Sequence, residues 1–238
     1  HKGHNMPKMN TKKTALFLAS GATLPVAPAN FLEVSEEILL TPEVPIEEFK
    51  RINGLLGANA SYADVCHTVI NQDVETKMRF QNSAADALYT LPEYGELLIV
   101  GGFDETIDTT TIGQETVTYT NTQTPVRGSA VAYIDGWKHT ITDALAADLT
   151  MNFPIGKAAT ISASLSAFLD NKGIAVAEAT PAVTLNPEAC LIVGCADIMT
   201  SGGSTITPDN VTIAMGADIQ EFYGMGLKEY SMQDYMIK

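Results

Sequence analysis

The sequence predicts a mainly β, antiparallel protein with one short α-helix, and two observations carry that prediction. Short segments alternate apolar and polar side chains and are set off by Gly, Pro, Asn or Asp: ETVTYTN (115–121), AVAYI (130–134), WKHTIT (137–142), DLTMNF (148–153) and TISASLSAF (160–168). Helical signals concentrate in LPEYGELLIVGGF (91–103), where Pro92 suits a first turn, Glu93 and Glu96 favour the N-terminal end and Gly101-Gly102 stop the helix, bounding it at about 92–101.

Further strands are expected at VSEEILL (34–40), YADVCHTVI (62–70), DVETKMRF (73–80) and NVTIAMG (210–216). Asp135-Gly136 is the strongest hairpin signal, because both central residues of a type I′ turn need positive φ. A turn there sets Ile134 opposite Trp137. One face then carries Ala130, Ala132, Ile134, Trp137, His139 and Ile141; Val131, Tyr133, Lys138, Thr140 and Thr142 take the other. His139 falls on an apolar stripe, Asp135 at the turn and Asp143 beyond the strand end, so a half-buried histidine is expected there rather than a catalytic or metal group.

The hairpin made by DLTMNF, Pro154-Ile155-Gly156-Lys157 and TISASLS sorts its residues by chemistry. Leu149, Met151, Phe153, Ile161, Ala163 and Leu165 share one side, and Asp148, Thr150, Asn152, Thr160, Ser162, Ser164 and Ser166 the other. The second is a small, polar, uncharged-to-acidic surface, suited to plain solvent or to the lumen of a wide aqueous barrel.

At 238 residues, the chain is long enough to bury a sizeable core as one domain with appendages. Its 45% apolar and 18% charged residues leave little polar surface, as in a protein partly covered by partners. The net charge of −14 is unevenly spread: Lys2, Lys8, Lys12 and Lys13 precede the first acid, and from residue 14 onward ten bases face 28 acids. Such a body repels a nucleic acid rather than gripping it, although DNA can slide past it without sticking. Cys66, Cys190 and Cys195 form no metal-binding spacing and read as buried thiols of a reducing compartment.

The segment 9–30 mimics a secretory signal, but Gly21 and Pro25 interrupt its apolar run and an acid-rich stretch follows. No other run is long and apolar enough to span a membrane, Met6 or Met9 is the candidate start, and His1 and His4 carry no functional weight. Asn59-Ala60-Ser61 and Asn210-Val211-Thr212 match the glycosylation pattern. No phosphate loop, dinucleotide fingerprint, nucleophile elbow or metalloprotease pair is present, and DETID (104–108) lacks calcium-loop spacing.

The order of these pieces resembles the tail tube proteins of long-tailed bacteriophages. Residues 89–169 carry the likeness: YTLPEYGELLIVGGFDET resembles the family's short helix ending in Gly-Phe, ETVTYTNTQTP a following strand, AYIDGWKHTITDALAADLTMNF its Asp-Gly hairpin and PIGKAATISASLSAF the next strand. LLTPEVPIEEFKRINGLLGANASYADVCHTVINQDVETKMRF is similar to the segment with a long loop before two strands, and ITPDNVTIAMGADIQEF to the closing strand. The chain departs from the pattern at Asp143-Ala144, where Gly-Ala is usual, at the glycine missing after it, and near Leu169-Asp170.

The resemblance implies a β-sandwich or partial barrel with one flanking helix, organised as an N-terminal arm (1–33) and a single domain (34–238) with a long stacking loop (about 41–58) and a C-terminal arm (about 218–238). It implies a structural virion protein without catalytic residues, metal or cofactor, made in the host cytoplasm, whose hexameric rings stack into the tube through which the genome leaves. Partners would be further copies and the tape-measure, tail-terminator and distal-tail proteins, with DNA passing transiently. On this reading Asp148, Thr150, Asn152, Thr160, Ser162 and Ser164 line the lumen, and Glu43, Glu47, Glu48, Lys50, Arg51, Lys12 and Lys13 join rings or subunits. The rival expectation is a secreted β-sandwich binding module, an adhesin or carbohydrate-binding domain, favoured by the signal-like start and the sequons.

Overall fold

The computed structural model describes residues 14–27, 30–35, 38, 40, 42–43, 46–50, 59–63, 68–79, 91–111, 115–122, 125–169, 176–183, 185, 189–192, 199–201, 204–206, 209–224 and 227–237. Its elements in chain order are β1 (Thr14–Ser20), β2 (Phe31–Leu32), β3 (Pro42–Glu43), β4 (Ile46–Lys50), β5 (Asn59–Ala63), β6 (Thr68–Lys77), α1 (Gly95–Val100), β7 (Phe103–Asp108), β8 (Thr116–Asn121), β9 (Gly128–Ile134), β10 (Trp137–Pro154), β11 (Thr160–Leu169), β12 (Val176–Ala177), β13 (Met199–Ser201), β14 (Ser204–Ile206), β15 (Asn210–Gly224) and β16 (Leu227–Ile237). The protein is mainly β, with antiparallel sheets and one short helix, consistent with a β-sandwich or partial barrel.

A ten-stranded sheet runs β2-β1-β9-β10-β11-β6-β3, with β12 and β15 attached to β10 and β16 to β15. β10 is its spine. One edge pairs with β9 over Trp137–Ala144 and then with β15 over Leu149–Pro154; the other pairs with β12 at Trp137 and Lys138 and with β11 from Ile141 to Asn152. The sequence suggested two strands here because Asp143 and Asp148 look like breakers. Both instead sit in bulges at φ 52°, a conformation that aspartate tolerates better than most side chains. Each bulge moves the inward face by one residue, from Ile141 to Ala144 and Ala146 and then back to Leu149.

The Asp135-Gly136 turn forms as expected, with φ 51° and 84° and Ile134 opposite Trp137. The 154–157 connection also closes as a hairpin, with Gly156 at φ 69° and Asn152 opposite Thr160.

The main core lies where α1 meets the sheet: Leu97, Leu98 and Val100 pack with Leu16, Leu18, Ala130, Ile141, Leu149 and Ile161. Glu96 anchors the helix by accepting the Ser20 backbone N–H at 2.6 Å. Gly101 closes the helix against Leu149, and a Cβ at that position would collide with the Leu149 side chain. The opposite sheet face holds a second cluster of Ala15, Phe17, Val131 and Tyr133, in which Phe17 meets Phe31 at 5.7 Å and Tyr133 edge-on at 5.8 Å. β9 is therefore covered on both faces.

Several expectations change. Residues 14–20, assigned to an N-terminal arm, form a sheet strand whose Ala15–Leu18 are buried, because an apolar run between β2 and β9 has both edges paired. No strand occupies the described part of 34–40; that segment crosses the sheet edge, with the Ser35 N–H bonded to the Glu75 carbonyl and Ile38 buried. Thr68–Lys77 is one strand rather than parts of two, because its ten residues pair successively with β11. Within the supposed loop 41–58, Ile46–Lys50 pairs with Asn59–Ala63 as a two-stranded ribbon. The helix is shorter than expected, entered by a turn in which the Gly95 N–H reaches the Pro92 carbonyl. Phe103–Asp108 is a strand that three acids disguised; its inner Phe103, Glu105 and Ile107 alternate with exposed Asp104, Thr106 and Asp108. The supposed C-terminal arm lies on β15 and β16, which pair as a long hairpin.

Replacing Gly101 with alanine is expected to cost about 1–3 kcal/mol, because the new methyl overpacks Leu149. Urea denaturation of wild type and variant measures the difference; equal midpoints and slopes contradict the close approach.

Candidate functional site

The surface that best fits a functional role is the outer face of β15-β10-β11-β6. Cross-strand register builds it in rungs: Thr212, Asn152, Thr160 and Lys77 form one, and Thr150, Ser162 and Glu75 the next. Ser164 then sits opposite Asp73, and the Asp148 bulge brings its side chain beside Ser162 and Ser164. Asp73, Glu75, Asp148, Ser162 and Ser164 line a shallow open concavity of about 340 Å³. The six residues expected on a common polar face are thus brought together. Asp148 is exposed and Thr150, Asn152, Thr160, Ser162 and Ser164 are half-buried, while Leu149, Ile161, Ala163 and Leu165 point into the core.

The acids on β6 were not anticipated as part of this face. Their signal was the alternation of Asp73, Glu75 and Lys77 with Val74, Thr76 and Met78; the neighbour β6 would choose was absent from it. β15 adds Thr212, whose hydroxyl donates to Asn152 Oδ1 at 3.2 Å and accepts from Asn210 Nδ2 at the same distance. Among the described residues the face therefore sets three carboxylates against the ammonium of Lys77, with hydroxyls and amides between them. Such a surface offers water many hydrogen bonds and a phosphate backbone net repulsion.

His139 lies opposite Ala132, its buried Nδ1 has no hydrogen-bond partner among the described residues, and burial pushes its pKa down. Asp143 faces Arg127 at 3.7 Å instead. Asp135 and Gly136 form the turn, with open space around Gly136. Among the described residues no group of three His, Cys, Asp or Glu side chains is placed to hold a metal ion, and no helix is long and apolar enough to cross a membrane.

Of the residues expected to join rings or subunits, Glu43 lies on β3 and Glu47, Glu48 and Lys50 on β4, where Glu47 pairs with Tyr62, Glu48 with Ser61 and Lys50 with Asn59. Lys12, Lys13 and Arg51 lie outside the described residues.

Because burial lowers the folded-state pKa of His139, the unfolded chain binds the proton more readily. That contribution to stability is intact above a pH of about 6.5 and is lost as the pH falls below it. His139→Phe is expected to lessen the fall in urea midpoint on going from neutral pH to about 5.5, and an unchanged fall contradicts this. Compared with known protein families and with curated protein sequences, the chain matches none.

Proposed function

We propose that this protein is a structural subunit of a phage tail tube, six copies closing each ring and the rings stacking into a conduit for DNA. The observation that carries the reading is the polar, net acidic sheet face of Asp73, Glu75, Asp148, Thr150, Asn152, Thr160, Ser162 and Ser164, backed by a continuous apolar core. Turned toward a lumen, its carboxylates repel phosphates across roughly a Debye length, about 8 Å at physiological salt. Hydroxyls and amides keep the wall wet, and its three carboxylates outweigh the ammonium of Lys77, so DNA moves past without stalling.

Supporting arguments come from edges and charge. The long β15-β16 hairpin and the β4-β5 ribbon are two-stranded extensions of the kind that bridge neighbouring copies, and such edges are best covered by pairing. An acidic body with only 18% charged residues suits a protein covered by copies of itself. Tail-completion proteins would then meet the two ends of the tube.

Electron microscopy with sedimentation of the purified protein is expected to give six-fold rings or hollow tubes. A monomer that stays monomeric at high concentration contradicts the proposal and favours the secreted binding module. A second test replaces Asp148, Ser162 and Ser164 together with lysine. Tubes are expected to persist while DNA delivery slows about tenfold or more, as cations add phosphate contacts; unchanged delivery removes this face from the lumen.

A further inference from the structure

The second apolar cluster needs a cover. Ala15, Phe17, Val131 and Tyr133 lie on the face turned away from the main core, and among the described residues Ala27, Phe31 and Val183 pack over them. Val183 ends a run of described residues that begins with β12 and crosses this face. Most of that run is itself exposed, with Val176 at 55% and Ala177 to Ala179 also exposed, so few apolar contacts hold it down.

Among the described residues its side-chain attachments converge on one residue. The Glu178 N–H donates to the Gly136 carbonyl at 3.0 Å, and the Glu178 carboxylate accepts the Tyr133 hydroxyl at 3.0 Å and the Lys138 ammonium at 3.1 Å. Ala177 and Val176 pair with Trp137 and Lys138 immediately before it. We propose that residues 176–183 form a strap over this face, latched by the Glu178 carboxylate and released when that carboxylate is protonated.

The groups facing the latch are Lys138 from β10 and Tyr133 from β9. The hydrogen bond from Lys138, followed by that from Tyr133, holds the Glu178 carboxyl below the usual glutamate range. The latch is therefore fully closed above the unfolded-state value of about 4.3 and is lost as the pH falls through the lowered folded value. Neutralising Glu178 removes the partner of Lys138 and weakens the acceptor for Tyr133, and the strap has little buried surface to keep it in place. Opening would withdraw Val183 from the cluster and free the Tyr133 hydroxyl, while Phe31 stays on Phe17 and the main core on the opposite face is undisturbed.

The chain carries its own reporter, because Trp137 is its only tryptophan and pairs with Ala177 of the strap. The experiment follows acrylamide quenching of Trp137 and far-UV circular dichroism of the full chain from neutral pH down to about 3. Trp137 is 50% exposed with the strap in place, so wild type is expected to show quenching that rises below the glutamate range while the far-UV signal holds. Glu178→Ala should have the raised quenching already at neutral pH and no acid transition, and Lys138→Met should move the transition up toward about 4.3. Wild-type quenching in folded Glu178→Ala overturns the proposal. So does an acid transition that coincides with loss of the far-UV signal, or one that Lys138→Met leaves in place.

Discussion

An antiparallel strand as long as β10, spanning about 60 Å at the usual rise per residue, twists too far to keep one pair of partners along its length. It exchanges β9 for β15 on one edge, and β12 for β11 on the other, with bulges in the middle of the strand. Everything else hangs on those bulges. At 143 and 148 the backbone takes a left-handed conformation that lets the ladder slip by one residue twice, so Ala144 and Ala146 face inward between Ile141 and Leu149. Without the second slip Asp148, two residues beyond Ala146, would continue into the core; with it, the carboxylate reaches the polar face and Leu149 meets the helix end.

The two faces of the sheet then acquire different tasks. One receives α1 and packs into the main core, drawn close by the absence of a Cβ at Gly101. On the other, the chemistry changes along the sheet: apolar across β1 and β9, where Val183 and Phe31 pack on it, buried at Leu145 and Phe168, and polar to acidic around Asp73, Glu75, Asp148, Ser162 and Ser164, where it stays open. An open, uncharged-to-acidic wall rigidly backed by a core is a poor grip for a nucleic acid and a good surface for letting one pass. That contrast underlies the tube proposal, which draws on the family resemblance for its ring geometry.

The turn-closed parts of this architecture were readable from local chemistry. Asp135-Gly136 dictated a hairpin and its register, Pro154 to Lys157 another, and the alternation in TISASLSAF sorted hydroxyls from core residues. Local chemistry also put His139 on the apolar side of the hairpin, opposite Ala132. The readings that failed share a cause. Asp143 and Asp148 look like strand ends because their left-handed conformation is used for turns and bulges alike, and only a partner strand running past them distinguishes the two. The apolar run at 14–20 reads as part of an arm until β2 and β9 are placed on either side of it.

What the chain determines locally is therefore its strand periodicity, its tight turns, its helix and its acidic charge, all set by neighbours a few residues apart. Which strands lie side by side was decided only on folding, when Thr68–Lys77 met β11 and Asn210 onward met β10. Side-chain alternation assigns a residue to a face but carries no address for the next strand; that address comes from burying Val74, Ile161, Leu149 and Met215 together. The acidic face is the other side of the same arrangement. Asp73, Glu75 and Asp148 stand together because the apolar residues between them had to.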